Sequence, residues 1–227
     1  METNIHAPSD NRQLADGVGV LTRIVQKIHK LRPASQAVGE DLTQAAGNVS
    51  RKIGETLRQR SEEAKEAAGK QLYQQLIEMT QTSVTHAQRI LEQIGAQTQG
   101  AEQRLKRQLE KYVPLVKRVI DQTQRRILEK EAVPAQEKVV SLFEPHSDII
   151  VRGKDNKPVE YGHKIWLNEV DGGIVSHYRI LKGNPSDELQ WEPSLQAHQK
   201  SFHSPPEQAS ADRGVSSTPN EQIAKDL

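Results

Sequence analysis

The sequence predicts a helix-rich α+β protein, and two observations lead to this fold class. Between about residues 36 and 131, apolar residues recur at steps of three and four, which is the period of an amphipathic helix. Two β-rich runs, 164–171 and 173–181, meet at Asp171-Gly172-Gly173. Because glycine tolerates the positive φ angles of a tight turn, this junction predicts a β-hairpin.

The composition limits the classes of protein that the chain can belong to. Its 227 residues are enough for one large domain or two small ones, and 31 basic residues nearly balance 30 acidic ones. A nucleic-acid surface would therefore have to be local. The absence of cysteine excludes disulfides, thiolate metal sites and cysteine nucleophiles. Neither a membrane-length apolar run nor a signal-peptide pattern is present, so we expect a cytoplasmic protein without a membrane partner.

The first helix is predicted to begin at Asp10. Asp10 and Gln13 have the spacing of a capping box, in which two side chains satisfy the free N–H groups of a helix start. Pro33 should end the helix. The apolar stripe of this helix consists of Leu14, Val18, Leu21, Val25 and Ile28.

The following helical region carries three further apolar stripes. Breaks are expected near Gly69 and between residues 95 and 100, and Pro114 should kink its helix rather than end it. Because the stripes are narrow, we expect long antiparallel hairpins or coiled-coil-like arms. The stripes consist of Leu42, Ala46, Val49, Ile53 and Leu57; of Leu72, Leu76, Met79, Ala87, Leu91 and Ile94; and of Leu105, Leu109, Val113, Val116, Ile120 and Ile127.

The last helix of this region is basic. Residues 101–131 contain nine Lys or Arg and five Asp or Glu. A charge run is usually a solvated helix surface, but cations gathered on one face would bind DNA phosphates. The candidate DNA-binding residues are Arg104, Arg107, Lys111, Lys117, Arg118, Arg125 and Arg126.

A candidate catalytic carboxylate follows the hairpin. A helix is predicted from about 187 to 202, ended by Ser204-Pro205-Pro206, and a short strand at 208–211 then leads to Asp212. The order of hairpin, helix, strand and carboxylate suggests a ribonuclease-H-like sheet with a metal-binding aspartate. The eight histidines show no zinc spacing, and no glycine-rich phosphate loop is present.

Several short motifs along the chain resemble those of bacterial insertion-sequence transposases of the DDE type, particularly those with a helical insertion in the catalytic domain. Their order, on both sides of a long helical segment, makes the resemblance fairly specific. The motifs are Glu2-Thr3-Asn4-Ile5-His6, Asp16-Gly17-Val18, Val20-Leu21-Thr22-Arg23, Ser141-Leu142-Phe143-Glu144-Pro145-His146, Asp148-Ile149-Ile150, Gly162-His163-Lys164, Gly183-Asn184-Pro185 and Ala211-Asp212-Arg213-Gly214.

The resemblance implies a site of two aspartates and one glutamate that holds two Mg²⁺ (or Mn²⁺) ions. Asp212 matches the second aspartate and is therefore the expected catalytic and metal-binding residue. The first position would precede Met1 and the glutamate would follow Leu227, so the chain resembles an internal fragment of a transposase. Its expected parts are the start of the catalytic domain (1–35), a helical insertion (36–135) and an incomplete ribonuclease-H-like core (136–227).

The function implied by the resemblance is DNA transposition, with double-stranded DNA at the element ends as partner. Homo-oligomers are a further expectation, whereas a small-molecule substrate is not expected. Two-metal chemistry needs several converging carboxylates, so we expect this chain alone not to cut DNA. The alternative is a non-catalytic helical DNA-binding or regulatory protein derived from a mobile element.

Overall fold

The computed structural model describes residues 9–32, 39–58, 62–94, 99–151 and 159–226, with the side chains of 62–65 excepted. The chain divides into two compact units, one of which is His6–His146 while the other contains Ser147–Leu227. Helices dominate the first unit, and the second holds two small antiparallel sheets and two helices. The predicted helix-rich α+β class is confirmed.

The described residues of the first unit form four α-helices. They are α1 (Asp10–Leu31), α2 (Thr43–Thr56), α3 (Glu62–Gln93) and α4 (Gly100–Thr123), and a π-helical turn (Gln124–Leu128) extends α4. Helix α1 begins and ends where the sequence predicts, and α4 continues through Pro114. The break predicted near Gly69 is wrong. A single glycine costs a helix only about 1 kcal/mol relative to alanine, so a helix of this length can contain one.

Most residues of the predicted stripes lie in one shared core. Helix α1 contacts α2, α3 and α4, and α3 also contacts α2 and α4. The narrow stripes of these helices converge on a single centre, where consecutive helices also pack against each other. Helix α1, which the sequence analysis assigns to a separate region, is part of this core. Fully buried members include Leu14, Leu21, Leu76, Leu109 and Val116.

Gly17 allows a close approach between α1 and α4. A Cβ at this position would lie 3.0 Å from Val116 Cγ1, closer than ordinary van der Waals contact permits. Glycine usually weakens a helix, because it has no side chain to pack and because its backbone loses more conformational freedom on folding than that of any other residue. Here the missing side chain makes room for Val116, which is itself fully buried.

The start of α1 does not use the predicted capping box. Ser9 is the N-cap residue and makes no side-chain cap bond. Asp10 instead binds Arg126 Nη1 at 2.7 Å, and the Gln13 amide donates to the carbonyl of Val140 at 2.9 Å. Both side chains bind residues more than a hundred positions away in the sequence. A rule based on the spacing of neighbouring residues cannot predict such contacts.

Gln122 joins this region into one buried polar network. Its Nε2 lies 3.2 Å from Asp10 Oδ1, and its Oε1 accepts from the backbone N–H of Val139 at 2.8 Å. Val139, Val140 and Leu142 are buried in the helical unit. Residues 139–146 therefore belong to the helical unit, although the sequence assigns them to the core region 136–227, and the first described strand begins after them at Asp148.

The second unit contains two hairpins. Strands β1 (Asp148–Val151) and β2 (Val159–Gly162) pair antiparallel, as do β3 (Lys164–Val170) and β4 (Ile174–Leu181). The predicted β3–β4 hairpin is confirmed, and Gly172 and Gly173 in its turn have φ angles of 84° and 75°. A 3₁₀ turn (Asp187–Gln190) then leads into α5 (Trp191–Phe202), in agreement with the predicted helix, and α6 spans Thr218–Asp226.

The short strand predicted at residues 208–211 is wrong. These residues are exposed and form no strand, and β3 and β4 pair with each other without a third strand. The run Gln208-Ala209-Ser210-Ala211 has no large apolar side chain to bury, so it lacks the half-buried face that stabilises a strand. Asp212 therefore does not lie at the end of a strand.

Candidate nucleic-acid interface and the Asp212 region

Four cations on α4 form what we call the cationic row: Arg104, Arg107, Lys111 and Arg118. At 3.6 residues per turn, these positions fall within an arc of about 60° around the helix axis. All four are exposed, and most of the buried apolar residues of α4 lie on the opposite side. From Arg104 to Arg118 the row is about 21 Å long at 1.5 Å per residue.

The charge of the row is not neutralised by nearby acids. Among the residues that the structure describes, no carboxylate forms an ion pair with Arg104, Arg107 or Lys111. Arg118 donates from Nη2 to the backbone carbonyl of Glu137 at 3.0 Å, which orients the guanidinium without cancelling its charge. Lys111 Nζ lies 5.2 Å from the centroid of the Tyr112 ring. A row of exposed positive charge is what a phosphate backbone requires.

Arg125 and Arg126 lie beyond the row and have protein partners. Arg125 binds Glu131 at 2.6 Å and Glu137 at 2.8 Å, and Arg126 binds Asp10 at 2.7 Å. The hydrogen bonds that Arg125 donates to Glu131 and Glu137 raise the pKa of Arg125, and the bond that Glu131 accepts lowers the pKa of that carboxyl. These arginines stabilise the end of the helical region, so a phosphate would have to compete with carboxylates already in place.

Lys117 occupies a different part of the α4 surface. It is exposed, but lies about 100° around the helix axis from the centre of the cationic row. A duplex resting along the row would therefore meet Lys117 only at its margin. The seven predicted DNA-binding residues thus separate into four that share one face, two held by internal ion pairs and one to the side.

Asp212 forms the N-cap of a 3₁₀ turn, Arg213–Val215. Its Oδ1 accepts a hydrogen bond from the backbone N–H of Gly214 at 3.0 Å, and the residue is exposed. This is an ordinary capping role, since a side-chain oxygen satisfies a free N–H at the start of the turn. The turn packs against the 3₁₀ turn Asp187–Gln190.

A second carboxylate, Asp187, lies next to Asp212. A Cβ built on Gly214 would lie 3.0 Å from Asp187 Oδ2 and 3.1 Å from Asp212 Oδ1, so the two carboxylates approach the same narrow space. The other oxygen, Asp187 Oδ1, is 2.6 Å from Lys164 Nζ, which also donates to the carbonyl of Pro185 at 2.7 Å. Sequence reasoning missed Asp187 because it is separated from Asp212 by the whole of α5.

These residues do not fit a two-metal site. Mg²⁺ takes hard oxygen ligands in near-octahedral geometry, and a pair of ions needs several carboxylates. Within the described ranges, no three His, Asp or Glu side chains are placed so that they could hold a metal ion. The groups near Asp212 are its own carboxylate, the carboxylate of Asp187 and the ammonium group of Lys164. The Lys164 ammonium group takes the place beside Asp187 that a metal ion would need.

A cleft in the helical unit lies between α1, residues 39–41 and α3. Its volume is about 690 Å³, and it is lined by residues that include Gln26, His29, Asp41, His86 and Arg89. The two histidine rings stack with their centroids 6.0 Å apart. The N–H of Gly39 donates to His86 Nε2 at 3.1 Å, which ties the connecting segment to α3. Its walls come from distant parts of the sequence, so no local pattern predicts it.

Comparisons with known proteins add no further assignment. Neither protein-family models, nor curated proteins, nor solved structures match this chain. Among the described residues, no helix is long and apolar enough to cross a membrane.

Proposed function

We propose that this chain is a fragment of a DDE-type insertion-sequence transposase and that its helical unit binds double-stranded DNA through the cationic row of α4. The observation that supports DNA binding is the exposed row of four cations, for which the described residues supply no carboxylate partner. The transposase assignment comes from the ordered motifs that end in Ala211-Asp212-Arg213-Gly214. The β3–β4 hairpin followed by α5 supports a ribonuclease-H-like core in the intact protein.

The geometry of the row suits a DNA backbone rather than base edges. Duplex DNA carries one negative charge per 1.7 Å or so of axis, so about 21 Å of helix faces several phosphates. The row lies on a helix whose opposite face is buried in the core, and its side chains can reach phosphates without moving α4. Phosphate contacts carry no base information, so this binding is largely independent of sequence.

The proposal is tested by the salt dependence of binding to a labelled duplex of about 20 base pairs, which at about 3.4 Å per base pair is long enough to cover the whole row. We expect log K to fall linearly with log salt concentration, because bound cations release counterions from DNA. Changing both Arg107 and Lys111 to Gln should weaken binding at low salt and reduce the slope by about 1.8. Binding that keeps its strength as salt rises would contradict the proposal.

Lys117→Gln is the matched control, because it removes one exposed charge from the same helix outside the row. A second control, Lys52→Gln, removes an exposed charge from α2. If either control reduces the salt slope as much per charge as the row variants do, the effect comes from overall charge and the row is not the binding surface. Circular dichroism of each variant checks that the helices remain intact.

Metal-dependent cleavage is proposed for the intact transposase, with Mg²⁺ or Mn²⁺ as cofactor and Asp212 as one ligand. This chain alone should not nick supercoiled plasmid DNA with either ion, because Asp212 caps a turn and Asp187 is paired with Lys164. Nicking that persists through purification and disappears in Asp212→Ala would contradict this expectation. It would also show that a complete site exists in this chain.

The alternative is a non-catalytic DNA-binding or regulatory protein derived from a mobile element. The observation that favours it is the placement of Asp212, which is not on a strand and belongs to no cluster of three ligands among the residues that the structure describes. Both proposals expect binding by the cationic row. They differ when the chain is combined with the catalytic part of a matching transposase: a fragment should restore DNA cleavage, whereas a regulator should inhibit it or leave it unchanged.

A further inference from the structure

Two aromatic rings lie beside the middle of the cationic row. Tyr112 follows Lys111 in the sequence, and Lys111 is the midpoint of the row. At 1.5 Å per residue, the row extends about 10 Å from this level in each direction along α4. Phe143, from the segment that follows the helices, lies with its ring centroid 6.4 Å from that of Tyr112. We call Tyr112 and Phe143 the aromatic pair.

The packing of residues 139–142 fixes the position of Phe143. Leu142 is fully covered, and its Cδ1 lies 3.7 Å from the place that a Cβ on Gly17 would occupy, so it packs between α1 and α4. At the other end of the segment, the N–H of Val139 donates to Gln122 Oε1 at 2.8 Å. The segment is thus attached to the helical unit at two points, and Phe143 follows directly after the second. Its ring is held in place before any partner binds.

The aromatic pair is continuous with the charge of the row. Lys111 Nζ lies 5.2 Å from the centroid of the Tyr112 ring, within the range of a cation–π contact. Tyr112 is half-buried, whereas Phe143 is 54% exposed. The two ring planes meet at 65°, in an edge contact. Tyr112 therefore supports Phe143 from the side of α4, and Phe143 presents an accessible ring next to the row.

The charge around the pair is positive. Glu144 follows Phe143 and is half-buried, and its N–H donates to Ser141 Oγ at 3.1 Å. Glu110 lies about 90° around the helix axis from the centre of the row, on the side away from Tyr112. Against these two carboxylates stand the four cations of the row. A ligand that reaches the ring from the row therefore meets a surface suited to negative charge.

This combination of groups fits single-stranded DNA better than other partners. Proteins that bind single strands combine a cationic surface that follows the backbone with aromatic side chains on which bases stack. In a duplex, neighbouring base pairs cover both faces of each base, so the ring of Phe143 would have no base face to contact. An acidic peptide would use the cations but not the ring. An apolar partner would cover the ring but would also remove cations from water, at a high free-energy cost.

We propose that the aromatic pair and the cationic row form one binding surface for single-stranded DNA, in which an unpaired base stacks on Phe143. The phosphates before and after that base lie on the two halves of the row. The surface includes the row, so this proposal rests on the DNA binding proposed above. A duplex with a single-stranded extension can use the row and the ring together.

The first test compares two labelled DNAs: an oligothymidylate of about 16 nucleotides, within the range of single-strand binding sites, and the duplex used above. Phe143→Leu keeps an apolar side chain but removes the ring. It should weaken oligothymidylate binding at least about fivefold and change duplex binding less than about twofold. Phe143→Trp, which keeps a ring, should bind the oligothymidylate at least as tightly as the unmodified protein.

Phe202→Leu is the matched control, because Phe202 is 48% exposed but lies on α5, outside the helical unit. It should leave the binding of both DNAs unchanged. Circular dichroism of each variant checks that the helices remain intact.

A second test locates the contact. An oligothymidylate with one central base replaced by 5-iodouracil is bound to the full chain and irradiated, and the cross-linked peptide is identified by mass spectrometry. The cross-link should fall on Phe143 or Tyr112, and Phe143→Leu should reduce its yield.

Four results would overturn the single-strand proposal. They are a Phe143→Leu variant that binds oligothymidylate like the unmodified protein, an equal loss of binding to both DNAs, a cross-link outside the helical unit, and tighter binding of an oligouridylate, which would assign the surface to RNA. None of these alters the duplex salt slope of the Arg107 and Lys111 double variant. That slope tests the proposed function separately, so the two failures are distinguishable.

Discussion

The two units use similar apolar patterns but bury them to very different extents. In the helical unit, four stripes converge and fully bury Leu14, Leu76 and Leu109. In the strand-containing unit, the buried apolar side chains of the described residues are Ile150, Leu181, Leu195 and Val215, whereas Leu167 and its neighbours on one side of the β3–β4 hairpin are exposed. A stripe becomes a core only when other elements converge on it, and a two-stranded sheet with one helix covers only one of its sides.

The largest expected effect is the difference in unfolding free energy between replacing a buried leucine and replacing an exposed one. Leu109→Ala should lower the free energy of unfolding of the helical unit by about 2–5 kcal/mol, since it removes buried contacts and leaves a cavity. Leu167→Ala in the hairpin should change stability by no more than about 0.5 kcal/mol under conditions where the chain is monomeric. Urea unfolding followed by circular dichroism measures both. Similar losses for the two variants would mean that this side of the hairpin is covered within the monomer.

A second prediction uses Tyr73, whose phenol is buried in the helical unit. Burial, and then the charge of Asp10, raise its pKa to about 12, while Arg126 and the backbone of Asn11 act in the opposite direction. The folded state thus favours the neutral phenol. The stabilisation is fully present below pH 10 and is lost as pH rises from 10 towards 12.

The measurement is the unfolding free energy of the protein and of Tyr73→Phe between pH 9 and pH 12. The difference between them should shift by roughly 2–3 kcal/mol in favour of the Phe variant across this range, because each pKa unit corresponds to about 1.4 kcal/mol. Parallel curves for the protein and Tyr73→Phe would show that the phenol is solvated.

The smallest expected effect concerns the buried polar network around Gln122. Gln122→Ala removes the partner of the Val139 N–H and one partner of Asp10, and should cost about 1–3 kcal/mol. Gln108→Ala, at an exposed position of the same helix, should cost no more than about 0.5 kcal/mol. Thermal unfolding measures both variants. If Gln122→Ala costs as little as Gln108→Ala, water molecules have replaced the hydrogen bonds of Gln122. The strand-containing unit should be unaffected by either change.

The sequence by itself determined the elements whose signals are local. The stripe of α1, the limits of that helix and the β3–β4 turn follow from spacings of two to four residues and from the conformational freedom of Gly172 and Gly173. Among the candidate site residues, the spacing of Arg104, Lys111 and Arg118 already places them on one side of a helix. Neighbouring residues along the chain are enough to decide such features.

The tertiary structure alone decided which side chains meet across long separations. Asp10 has capping spacing, yet it binds Arg126, which is 116 positions away. Residues 208–211 pair with no strand in the part of the chain that the structure describes, and Asp212 caps a turn beside Asp187. A strand, an ion pair or a metal site needs partners from other elements, and their positions depend on how the whole chain packs. Local periodicity carries no information about that packing.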